Sequence, residues 1–84
     1  MTREAIREEV LRALSSVAPE IDTQSLDPHR ALRDQVELDS MDFLNFVIAL
    51  HGSLRVDVPE TDYPRFADLN GAVDYLAGRL GVRS

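Results

Sequence analysis

Ser40 stands between two acids in the stretch Leu38-Asp39-Ser40-Met41-Asp42, which opens the most apolar segment of the chain. Its hydroxyl could attack a substrate, hold a covalent group, or do no more than help start a helix. Hydrolysis needs a base within hydrogen-bond reach and an oxyanion hole. The histidines are His29 and His51, and His51 lies eleven residues on. On a helix that is about three turns, roughly 16 Å along the axis. His29 falls in a loop that could approach the serine, but nothing in the pattern requires it. There is no G-x-S-x-G elbow, so a hydrolytic serine has no support in the pattern.

Composition removes other chemistries. The chain has no cysteine and no lysine, and all nine basic residues are arginine. A disulfide framework, a thiolate metal site and a cysteine nucleophile are therefore impossible. So are a lysine Schiff base and the phosphate loop that ends in Lys-Ser/Thr. The histidines have no ligand spacing and the acids match no calcium loop. No metal site is expected, and both histidines read as surface residues. Any thiol chemistry must use a thiol brought in by a cofactor.

A covalent group on Ser40 is the better physical proposal for chemistry. A serine in the first turn of a helix is exposed. A phosphodiester there would meet unpaired backbone N–H groups and the positive end of the helix dipole. Asp39 and Asp42 oppose that charge somewhat, and would instead mark the site for a basic modifying enzyme. Asp-Ser is also common at helix starts, so the tripeptide alone favours plain capping.

The elements that must position Ser40 are helical. Over 3–17, Ile6, Val10, Ala13, Leu14 and Val17 form one stripe, Thr2 is a candidate cap, and Pro19 ends the helix. Residues 18–39 show no sustained period. A loop longer than about 12–15 residues is unusual in a compact domain and often functional. Ile21, Leu26, Leu32, Val36 and Leu38 are its candidate anchors. A second long helix spans 40–53, with Asp39 as N-cap. Phe43, Phe46, Val47, Leu50 and Leu54 form its core stripe. Met41, Leu44 and Ile48 fall on another side, as a docking strip or a surface that loop 18–39 covers. Val-Asp-Val-Pro at 56–59 reads as an extended connector. Thr61 or Asp62 can cap a short helical turn through Phe66, with Pro64 in its first turn. Asp68 can cap a last helix whose inner face carries Leu69, Ala72, Val73, Leu76 and Leu80, ended by Gly81.

The expected fold is all-α: a small antiparallel bundle of three to four helices, with a long loop between helices 1 and 2. Eighty-four residues make a single domain, 1–84. A domain this size buries only roughly 60% of its unfolded surface, too little for a deep enclosed site. The net charge of −6 argues against nucleic acid and anionic membranes as partners. It fits basic proteins as partners, or simply solubility. No run approaches the roughly 20 apolar residues that span a bilayer, and the N-terminus lacks a signal-peptide run. A soluble, cytoplasmic monomer is expected.

The placement of these features carries a resemblance. Leu38-Asp39-Ser40-Met41-Asp42 opens the second helix after a long loop. Val-Asp-Val-Pro-Glu follows at 56–60, and Leu-Asn-Gly-Ala-Val-Asp-Tyr-Leu lies at 69–76. Nearly the whole chain resembles an acyl carrier protein of the phosphopantetheine-binding superfamily. The resemblance implies that Ser40 accepts 4′-phosphopantetheine from coenzyme A through a separate phosphopantetheinyl transferase. The cofactor then supplies the thiol, and acyl cargo rides on it as a thioester between acyl-loading and acyl-processing enzymes. The carrier itself catalyses nothing. The helix after the serine would be the main recognition element, with Asp39, Met41, Asp42, Leu44 and Ile48 as contacts. The family's bundle can also sequester an acyl chain, which this small core could do only by loosening.

Three departures from the family pattern matter. Asn45, His51 and Gly52 stand where carriers of bulk fatty acid synthesis often have acids, which favours a specialised fatty acid, polyketide or related pathway. Arg55 stands where the family usually has a glycine, so the helix ends early at Gly52 or Arg55 is strained. Asp-Tyr-Pro-Arg-Phe at 62–66 predicts a short, partly irregular helix that gates the cofactor arm or, for Tyr63 and Phe66, packs. The rival readings are an aminoacyl or peptidyl carrier of a nonribosomal peptide pathway and a cofactor-free helical interaction module.

Overall fold

Three long helices carry the core of the computed structural model, which describes residues 1–82. They are α1 (Arg3–Val17), α3 (Ser40–Leu54) and α4 (Leu69–Leu80). One short helical turn, α2 (Leu32–Gln35), and two 3₁₀ segments, Thr23–Ser25 and Glu60–Phe66, fill the connections. The result is a small all-α bundle, as the periodicity predicts, with no strand among the described residues.

Each long helix starts on a polar side chain that accepts one of its unpaired N–H groups. Thr2 Oγ1 accepts from Ala5 at 3.1 Å, Asp39 Oδ1 from Asp42 at 2.8 Å, and Asp68 Oδ1 from Gly71 at 2.6 Å. The α1 stripe is buried from Ile6 to Leu14, and α1 packs along both α3 and α4. Phe46, Leu50, Phe66, Leu69 and Leu76 complete the interior with it. All five aromatic residues join one path of ring contacts, Tyr63–Phe43–Phe46–Phe66–Tyr75, with centroids 5.2–6.4 Å apart. That path ties the Glu60–Phe66 segment to α3 on one side and α4 on the other, so Tyr63 and Phe66 pack.

Two expectations are met or resolved, and two need correction. Segment 18–39 is pinned by its expected apolar anchors and also holds short helical turns that its pattern does not predict. Leu26 and Leu32 are buried, Ile21, Val36 and Leu38 pack partly against the core, and α2 forms around Leu32. Backbone bonds hold this segment to the start of α4: Leu32 N–H to the Ala67 carbonyl at 2.7 Å, and Asn70 N–H to that of Pro28 at 2.8 Å. Second, neither Thr61 nor Asp62 caps the Glu60–Phe66 segment. Pro59 precedes it without a side-chain bond, and Asp62 instead accepts from the Tyr75 hydroxyl at 2.6 Å. Third, Leu80 is 37% exposed, so the inner face of α4 ends at Ala77. Last, of the two ends expected for α3, at Gly52 or on a strained Arg55, it takes the second. It runs to Leu54 and ends on Arg55 in the left-handed conformation, φ 56°. Leu54 and Val56 on either side are both buried, so the chain must reverse within that one residue.

Candidate functional site

The first turn of α3 is built by its acids. Asp39 caps the helix through the Asp42 N–H, and the Asp42 side chain reaches back to the Asp39 N–H at 3.4 Å. This reciprocal pair is a capping box. Leu38 and Phe43 flank it at the spacing of a hydrophobic staple, and both pack partly against the core. The backbone around Ser40 is thereby fixed from both sides.

Ser40 itself is left free. It is the first residue of the helix, it is exposed, and its hydroxyl makes no hydrogen bond among the described residues. No histidine bonds to it. His51 Nδ1 lies 3.1 Å from the Val56 carbonyl and 3.3 Å from the Asp57 carboxylate. Both partners are acceptors, so Nδ1 carries the proton, and the ring closes the far end of α3. His29 is exposed in the 18–39 segment. Neither histidine is placed as a base for Ser40 among the described residues.

Beside Ser40 runs a groove of about 850 Å³ between the 31–33 segment, α3 and the Glu60–Phe66 helix. Leu32, Leu38, Phe43, Leu44, Tyr63 and Pro64 give it apolar walls. Its charged members are Arg33, Asp39 and Glu60. A free hydroxyl at a mostly apolar groove, with one guanidinium on its lining, fits a flexible arm joined through a phosphodiester.

The residues expected to contact partners divide. Met41 and Ile48 are 62% and 54% exposed, while Leu44 and Asp42 are half-buried and Asp39 is exposed. Segment 18–39 leaves Met41 and Ile48 uncovered, while Leu44 borders the groove that Leu32 and Leu38 of that segment also line. Ile48 also borders a smaller groove with Val58, Pro59 and Tyr63. Sequence reasoning missed Arg33 and Glu60, because both sit in segments whose shape comes from long-range bonds. The Asp39–Asp42 capping box was readable from its three-residue spacing.

An exposed serine on a capped helix end, beside a mostly apolar groove, fits the class of carrier proteins. The chain belongs to the phosphopantetheine attachment site family, whose model matches residues 8–76. The family's prosthetic group is 4′-phosphopantetheine. Three relatives named acyl carrier protein agree. That of Myxococcus xanthus is 25% identical over 77 residues, covering 88% of this chain and 98% of its own. That of Micrococcus luteus is 25% identical over 77 residues, covering 88% and 95%. That of Acidothermus cellulolyticus is 27% identical over 74 residues, covering 84% and 88%. Among the described residues, no helix is long and apolar enough to cross a membrane.

Proposed function

We propose that this chain is an acyl carrier protein that bears 4′-phosphopantetheine on Ser40. The observation that carries the reading is the exposed, unbonded Ser40 hydroxyl on a boxed helix end, beside the apolar groove. When bound, the group supplies a thiol that holds acyl cargo as a thioester. The chain's own residues do the rest. Asp39 and Asp42 hold the first turn rigid. The buried α3 residues Phe46 and Leu50 anchor the helix against the pull of a docked enzyme. Met41, Leu44 and Ile48 offer an apolar strip to partner enzymes, with Asp39 and Asp42 at its head. The base that removes the Ser40 proton comes from the phosphopantetheinyl transferase.

A specialised fatty acid, polyketide or related pathway fits best. The chain has fifteen acids, yet none lies between Asp42 and Asp57. The long helix after Ser40 therefore steers basic partners weakly and is read through its apolar strip. The carrier works as a soluble, cytoplasmic monomer. Intact-protein mass tests the reading, after incubation with coenzyme A and a broad-specificity phosphopantetheinyl transferase. The native chain gains one phosphopantetheine and Ser40→Ala gains none. A gain in both would move the site. A folded native chain that gains none with this or a dedicated transferase would overturn the proposal.

A further inference from the structure

Loading Ser40 adds a negative charge in a poor place. The chain is already at −6, and the new phosphodiester lies between Asp39 and Asp42. At the separations of neighbouring side chains, like charges repel by about 1 kcal/mol in water and more near a protein surface. The groove that borders Ser40 holds Asp39 and Glu60 as well. Arg33 is the one basic residue on its lining.

Arg33 is exposed, and no ion pair among the described residues uses it. Its backbone is fixed nonetheless. Leu32 is buried and donates to the Ala67 carbonyl. The Gln35 amide donates to the carbonyls of Asp27 and Arg30, each at 2.9 Å, and its oxygen accepts from Asp27 N–H. Only the Arg33 side chain is left to move. A guanidinium is also the side chain best shaped to meet phosphate oxygens in pairs.

We propose that Arg33 is the counter-charge of the phosphodiester on Ser40. This rests on the reading of Ser40 as the attachment residue. Arg33 pairs with the phosphate oxygens once the group is present, and offsets Asp39, Asp42 and Glu60. It makes the loaded carrier as stable as the unloaded one.

The test compares purified unloaded and loaded forms of the native chain, Arg33→Gln, Arg33→Lys and Arg30→Gln. Arg30 is an exposed arginine of the same segment that does not line the groove. Loading is verified by mass, and melting temperature is read at low and high salt. At low ionic strength, loading lowers the melting temperature of Arg33→Gln by about 2–4 °C more than that of the native chain. That is the size of a surface ion pair in a domain of this length. Arg30→Gln follows the native chain, and Arg33→Lys, which keeps the charge but not the paired geometry, falls between the native chain and Arg33→Gln. The excess disappears near 1 M salt, where screening acts within about 3 Å. The phosphorus NMR resonance of the loaded form also shifts in Arg33→Gln and not in Arg30→Gln. Equal loading shifts in Arg33→Gln and Arg30→Gln, with an unmoved resonance, would overturn the proposal. A native chain that takes up no group would instead fail the reading of Ser40, and the assignment of Arg33 falls with it.

Discussion

Replacing Arg55 by glycine should stabilise this protein. Arg55 sits at φ 56°, ψ 39°, directly after the last residue of α3. A left-handed residue with a β-carbon costs about 1–2 kcal/mol. Glycine avoids that, but gives back about 0.5–1 kcal/mol in chain entropy. The net gain is about 0.5–1 kcal/mol, or about 2–8 °C in melting temperature for a domain of this size. Nothing offsets it. The Arg55 side chain is exposed and enters no ion pair among the described residues. Its N–H bond to the His51 carbonyl, 2.9 Å, is a backbone contact that glycine keeps. Thermal and urea unfolding of the native chain, Arg55→Gly and Arg55→Ala separate strain from charge. Alanine removes the same charge and retains the β-carbon, so it should not stabilise. If Arg55→Gly is no more stable than Arg55→Ala, the conformation is not strained and the reasoning fails.

Other changes have equally definite signs. Gly71→Ala should lose about 2–4 kcal/mol in urea unfolding, from a disturbed cap and overpacking, because the new β-carbon would lie 2.6 Å from Asp68 Oδ1 and 2.7 Å from the Arg65 carbonyl. Gly52→Ala should gain about 0.5–1 kcal/mol in the same assay, since a β-carbon there meets nothing within 4 Å and the position is helical. Burial first, then the hydrogen bond and charge of Asp62, raise the Tyr75 phenol above its ordinary value near 10, against the pull of Arg79 and Arg65. The folded chain therefore keeps a proton that the unfolded chain releases, so its contribution is complete below about pH 10 and falls as pH rises through the folded value. Tyr75→Phe should cost about 1–2 kcal/mol at neutral pH and flatten the loss of stability above pH 10, measured as urea midpoints against pH.

The long helices were legible because their signals are local. The α1 stripe, and the caps at Thr2, Asp39 and Asp68, each follow from residues within a turn of one another. The same holds for the two faces of α3, since helical spacing separates Phe46 and Leu50 from Met41 and Ile48 without knowledge of what covers them. What failed to show was decided at long range. The short helix α2 depends on Leu32 bonding to Ala67, thirty-five residues away. Asp62 looks like a cap in sequence, but the Tyr75 hydroxyl takes its carboxylate instead. At the end of α3, the local pattern left Gly52 and Arg55 both open as the stop. Leu54 and Val56 must both reach the core, and that demand carries the helix on to Arg55. The site divides in the same way. Ser40 and its flanking acids stand out in sequence, whereas the groove walls and Arg33 come together only through the packing of segment 18–39 against the start of α4.

This division bears on how a small carrier can be modified without being disturbed. Ser40 precedes the first buried position of α3 by a turn and a half, so its hydroxyl can change without any core contact changing. Asp39 and Asp42 are bound to each other's backbone N–H groups, so their charges are held at the helix head whether or not a partner is present. On the proposed reading, the fixed negative head is the one electrostatic mark beside the serine for a docked enzyme, and the acid-free length behind it leaves the apolar strip to set the fit. On the proposed reading, Met41→Glu and Ile48→Glu should therefore slow transfer by partner enzymes more than Glu37→Gln does, at unchanged melting temperature, because both side chains are exposed and hold no part of the core. Were Glu37→Gln, just ahead of the helix, the more damaging change, charge beside the serine and not the strip would govern docking.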